Sequence, residues 1–136
     1  MTQTPIRADA PRDVLVVDDH DDAAESLATL LVMQGHRVRV AHTGPEALVA
    51  ARERRPDVVL LDIGLPGMDG YAVARALRGL PGGDACLVVA LTGRSDVQGE
   101  VSTSGGFDQH LLKPIDPATL HEVVVTRRAV RDAESA

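Results

Sequence analysis

Apolar residues fall along this chain in two rhythms. Val14-Leu15-Val16-Val17, Val58-Val59-Leu60-Leu61 and the segment Cys86 to Leu91 are unbroken apolar runs. They are too short for helices and rich in β-branched residues, which predicts strands buried on both faces. His36 to His42 alternates instead, with Val38 and Val40 on one face, and predicts a shorter, more exposed strand. Phe107 to Leu112 predicts a fifth strand.

Helical spacing fills the intervals. Ala23, Ala24, Leu27, Leu30, Leu31 and Met33 mark one face after an acidic first turn that suits the helix dipole, and Gly35 is a stop signal. Thr43 reads as an N-cap with Glu46 three residues on, a capping box opening a helix to about Arg55, with Ala47, Leu48 and Ala51 inward and Pro56 ending it. Tyr71 to Leu80 carries Val73, Ala76, Leu77 and Leu80, and Pro81-Gly82-Gly83 reads as a loop. Asp116 caps a last helix with Leu120, Val123 and Val124 inward. Residues 94–106 complete the alternation as a helix of poor propensity, because Ser, Thr and Gly are frequent there. Strand followed by helix, five times, predicts an α/β fold: one doubly wound, five-stranded parallel sheet with helices on both faces. Its expected bounds are 13–128, with a disordered arm over 1–12 and a frayed tail over 129–136.

Composition narrows the function classes. The chain has 136 residues, enough for one domain with its own core. A net charge of −6, with Tyr71 and Phe107 as the only aromatic residues, argues against a phosphate backbone or stacked bases as partner, so no nucleic acid is expected. The single Cys86 rules out an internal disulfide and a Cys-rich zinc site. No apolar run approaches the roughly 18 residues that span a bilayer, and MTQTPIRADAPR lacks a signal core. The expected location is cytoplasmic, with no membrane partner.

In such sheets ligands bind beyond the carboxyl ends of the strands, where strand order reverses. The residues there are Asp18 and Asp19 after the first strand, Asp62 at the end of the third, Thr92 after the fourth and Lys113 after the fifth. Three convergent carboxylates call for a counter-charge, and oxygen-only donors point to a hard cation, magnesium rather than zinc or copper. A phosphoryl group would then find Lys113 as a point charge, Thr92 as a hydrogen-bond donor and a carboxylate as nucleophile.

The segments VLVVDDHDD, VVLLDIGLPGMDGYAVARALR, VVALTGR and HLLKPID, in that order and spacing, resemble the receiver domain of bacterial two-component response regulators over about residues 13–128. The resemblance implies a flavodoxin-like strand order 2-1-3-4-5. It implies that Asp62 is the phospho-acceptor, that Asp19 binds Mg2+ directly and Asp18 partly through water, and that the backbone carbonyl of Gly64 completes the metal shell. Thr92 and Lys113 are implied to hold the phosphoryl group, and the Lys113–Pro114 bond to be cis. His110 stands where many receivers carry a switch Tyr or Phe, which makes Thr92 and His110 the implied switch pair. GGFDQHLLKPID is similar to receivers attached to hybrid histidine kinases.

Other readings of single motifs are weaker. Asp18 to Asp22 could be a solvated helix start, and Asp21 and Asp22 are read that way. The DDxxD pattern also occurs in isoprenoid synthases, but those are large and all-helical. Haloacid-dehalogenase-type phosphatases need an Asp where Gly64 stands, and Gly64-Leu65-Pro66-Gly67 lacks a Walker lysine. Cys86, in a buried strand, reads as inert packing. The expected function is a phosphorylation-gated signalling switch that takes a phosphoryl group on Asp62 from a histidine kinase and signals through protein contacts. Its only catalysis is its own Mg2+-dependent phosphorylation and dephosphorylation. The alternative is a relay intermediate, or hybrid-kinase fragment, that passes the group to a histidine phosphotransfer protein. The short stretch after residue 128 leads to the expectation that no output domain follows.

Overall fold

A computed structural model of the chain describes residues 11–63, 70–92 and 107–125, with Asp84 described in its backbone alone. Five strands, β1 (Asp13–Val17), β2 (Arg37–Ala41), β3 (Val58–Asp62), β4 (Leu87–Thr92) and β5 (Gln109–Leu112), form one sheet in the order β2-β1-β3-β4-β5. All neighbouring pairs are parallel. The described helices are α1 (Asp21–Met33), α2 (Gly44–Glu53), α3 (Gly70–Arg78) and α4 (Pro117–Val125), with a 3-10 turn at Gly83–Ala85. The fold is thus the expected α/β sheet, in the expected strand order.

Strand alternation divides the core into two layers. Leu15, Val17, Val59, Leu61, Val88 and Ala90 pack with Ala47 and Ala51 of α2 and with Val73, Ala74 and Leu77 of α3. Val14, Val16, Val58, Leu60, Val89 and Leu91 pack on the other side with Ala24 and Leu31 of α1 and Leu120, Val123 and Val124 of α4. Every residue of β1, β3 and β4 is buried. This is why their apolar runs are continuous rather than alternating. Among the described residues β2 is an edge strand, paired only with β1, and its Val40 is 38% exposed.

Local chemistry sets the element ends. The Glu46 amide donates to Thr43 Oγ1 at 3.2 Å, while Glu46 Oε1 accepts from the His42 amide at 2.8 Å. The side chain therefore reaches one residue further back than a standard capping box. Asp116 Oδ2 accepts from the Thr119 amide at 3.0 Å and so caps α4. Gly35, at φ +99°, takes the left-handed conformation that ends α1. Arg12, expected in the arm, is tied down: its amide donates to His36 Nδ1 and its carbonyl accepts from the Arg37 amide.

Smaller differences follow from packing. The α3 face that turns inward holds Ala74 with Val73 and Leu77, while Ala76 is half-buried. Met33, expected inward, is 60% exposed: with Val32 it lies on the outward side of the last turn of α1, while Leu31 and Gln34 are buried. The helix expected over 94–106, the arm over 1–10 and the tail from 126 lie outside the described residues.

Candidate functional site at the carboxyl edge of the sheet

β1 and β3 are neighbours, but the chain leaves them toward opposite layers, so a crevice opens beyond their carboxyl ends. Asp18 is the first residue past β1, and Asp62 is the last of β3. Both are buried, at 2% and 8% exposure, although a carboxylate is ordinarily a surface group. Each has compensation at hand. Asp18 Oδ1 accepts from the His20 amide at 2.9 Å, and the Asp18 amide donates to the Ala41 carbonyl. Lys113 Nζ, one residue past β5, stands 3.5 Å from Asp62 Oδ2 and 4.0 Å from Asp18 Oδ2.

One carboxylate oxygen each from Asp18, Asp19 and Asp62, with a ring nitrogen of His20, lie within 4.8 Å of one another. An octahedral Mg2+ holds opposite ligands roughly 4.2 Å apart, so these oxygens need only small shifts to share one ion. The donor chemistry and spacing fit a divalent cation. His20 was not singled out by the sequence reading. Its signal was its place inside the acidic run, where it looks like helix-start filler. His42 is a second imidazole at the rim, with Nδ1 at 3.1 Å from the Asp18 carbonyl.

Thr92 closes the fourth strand and is fully buried, its Oγ1 donating to the Leu111 carbonyl at 3.3 Å. In register Thr92 faces Leu112, and Ala90 faces His110. Thr92 and His110 therefore lie on the same face of the sheet, two residues apart in register, with His110 exposed. The hydroxyl meets the carbonyl next to His110 rather than the imidazole. Gly64 lies outside the described residues. At Gly70 a Cβ would come within 3.1 Å of both Cα and O of Ile63, so glycine lets α3 start against the end of β3. The Lys113–Pro114 bond is cis. Among the described residues no helix is long and apolar enough to cross a membrane.

A doubly wound parallel sheet with an acidic pocket at its switch point, faced by a lysine from the last strand, defines a receiver-type signalling domain rather than a conventional enzyme. The chain belongs to the response regulator receiver domain family of two-component signalling, whose model matches residues 14–125. It is similar to the transcriptional regulatory protein AfsQ1 of Streptomyces coelicolor, with 35% identity over 88% of this chain and 53% of that protein. It is also similar to the DNA-binding response regulator MtrA of Mycobacterium tuberculosis H37Rv, with 40% identity over 90% of this chain and 53% of that protein. Among solved structures, the receiver domain of sensor histidine kinase PA1611 from Pseudomonas aeruginosa PAO1, with a magnesium ion coordinated in its active site cleft, matches with TM-score 0.77 and 30% identity. The match covers 85% of this chain and 95% of that one.

These relatives correct one expectation, that of no nucleic-acid partner. MtrA is a DNA-binding protein by name and AfsQ1 a transcriptional regulator. The chain spans about half the length of the curated relatives it matches. A net charge of −6 and a scarcity of aromatic residues are properties of this domain and set no limit on what a protein containing it binds.

Proposed function

We propose that Asp62 accepts a phosphoryl group from a phosphohistidine of a partner histidine kinase, and that the modified domain switches its contacts with other proteins or protein segments. The observation that carries this reading is the placement of Asp62, Asp18 and Lys113 around one crevice. A carboxylate oxygen of Asp62 attacks phosphorus in line, forming the O–P bond. The P–N bond to the donor imidazole breaks, and its electron pair returns to that nitrogen, which takes up a proton. Lys113, already beside Asp62 Oδ2, holds a phosphoryl oxygen. The Thr92 hydroxyl leaves the Leu111 carbonyl to donate to another, and this exchange loosens the tie between β4 and β5 next to His110.

Asp18, Asp19 and Asp62, with the Gly64 carbonyl, are the residues proposed to hold Mg2+. When bound, the ion supplies positive charge to offset the carboxylates and the incoming phosphoryl oxygens. The expected location is the cytoplasm. The output includes control of nucleic-acid binding, as the names of the longer relatives suggest.

Mass spectrometry after treatment with acetyl phosphate and Mg2+ tests the acceptor. A gain of one phosphoryl group that vanishes in Asp62→Ala and without Mg2+ supports the reading. Undiminished labelling of Asp62→Ala places the acceptor elsewhere and overturns it.

A further inference from the structure

Three carboxylates satisfy a hard cation, and nothing in that chemistry calls for nitrogen. The pocket nevertheless carries a nitrogen donor. A ring nitrogen of His20 belongs to the same 4.8 Å set as the oxygens of Asp18, Asp19 and Asp62. Its main chain is held there. His20 is the N-cap of α1 with an extended backbone, and its amide donates to Asp18 Oδ1. Its Nδ1 then stands 3.1 Å from Asp19 Oδ1 and 3.4 Å from Asp18 Oδ1. The ring is 73% exposed, so no core contact opposes a small rotation toward an ion between the carboxylates.

We propose that His20 is a protein ligand of this pocket and that it makes the pocket prefer borderline divalent ions, such as Co2+ and Zn2+, over Mg2+. The proposal rests on the reading of the pocket as a divalent-cation site. Imidazole adds little to Mg2+, which favours oxygen donors and keeps much of its water. It adds substantially to Co2+ and Zn2+, whose affinity for nitrogen donors rises along the Irving–Williams order. The aligned receiver of PA1611 shows that a cleft of this family can coordinate a divalent ion. In this chain the His20 imidazole stands within the same cluster as the carboxylates. An ion held by His20 and the three carboxylates competes directly with Mg2+ for the pocket.

Co2+ is the probe, because its visible absorption reports ligation. The full chain and its His20→Phe variant are titrated with Co2+ and with Mg2+ at neutral pH, by absorption and calorimetry. Co2+-shifted proton NMR is recorded for an exchangeable imidazole resonance. Support is a Co2+ affinity that falls at least about tenfold in His20→Phe, the scale on which even an outer-shell partner acts. It also requires an unchanged Mg2+ affinity, displacement of Co2+ by excess Mg2+, and an imidazole resonance lost in the variant. Equal Co2+ affinity in both proteins overturns the role of His20 while leaving the Mg2+ pocket standing. Equal weakening of both ions also overturns it, since His20 then acts by placing Asp18. Failure of the wild-type chain to bind either ion overturns the inference together with the cation-site reading.

Discussion

The ammonium of Lys113 lies between two buried carboxylates, 3.5 Å from Asp62 and 4.0 Å from Asp18. One charge from the end of β5 thus serves the ends of both β1 and β3. The same ammonium opposes any cation entering between those carboxylates, because like charges at such distances repel strongly in a partly buried site. Lys113→Met keeps the length of the stem and removes the charge. The expected result is Mg2+ binding several-fold tighter by calorimetry, a larger rise in melting temperature on adding Mg2+, and weaker labelling by acetyl phosphate. Weaker Mg2+ binding in Lys113→Met would contradict the geometry.

The strand ends were legible because burial on both faces writes itself as continuous apolar sequence, and Asp18, Asp62, Thr92 and Lys113 stand just where those runs stop. The caps at Thr43 and Asp116 were legible because their partners lie three residues away. Two features were not. The His20 ring owes its place to a turn that closes on Asp18, and nothing in its own spacing signals that. Arg78 reaches partners five, eight and thirty residues along the chain, which come together only once the sheet exists.

Arg78 is the main lock of that region. Its guanidinium donates to the Gly83 carbonyl at 3.0 Å, to the Cys86 carbonyl and to Asp108 Oδ2. Asp108 Oδ2 also accepts from the Val88 amide at 2.8 Å, so the cluster joins the start of β4 to the approach to β5. Both charged side chains are less than a fifth exposed. Arg78→Met should cost about 3 kcal/mol in urea unfolding, since it leaves Asp108 and two carbonyls short of a donor. Replacing Asp108 by Asn in the same chain should recover part of that loss. A loss under about 1 kcal/mol would be that of an exposed ion pair and would count against the lock.

Cys86 opens the path into β4 and is 2% exposed, and burial pushes its thiol up to about 12. Arg78 nearby pulls in the other direction without prevailing. The thiolate is the reactive form, so the native chain should resist thiol reagents at neutral pH. Its labelling rate should follow the unfolding equilibrium: slow in buffer, and rising with urea in parallel with the loss of secondary structure. Fast labelling of the folded chain would mean that this edge of the sheet opens locally.

His36 gives the fold a pH dependence whose sign can be worked out. It is 4% exposed at the turn from α1 into β2, and its Nδ1 accepts from the Arg12 amide at 3.1 Å. That bond assigns the proton of the neutral ring to Nε2, which is buried without a hydrogen-bond partner among the described residues. Burial chiefly, and then the neighbouring His121 and Arg12, lower its pKa below the ordinary value. In the unfolded chain His36 takes up its proton near about pH 6.5, while the folded chain still refuses it. The unfolded state then binds more protons, so stability falls as pH falls. The contribution is intact above about pH 6.5, is lost on acidification below it, and levels off once the pH has passed the lowered folded value. His36→Gln keeps an acceptor for Arg12 and cannot titrate in this range. Urea midpoints measured from pH 8 downward should therefore decline less steeply in His36→Gln than in the wild-type chain. The difference should approach about 1.4 kcal/mol per pH unit at its steepest, the limit for one proton. Parallel pH profiles for the two proteins would show that His36 protonates equally well in the folded and unfolded chain, in which case the enclosure of its ring is not felt by the proton.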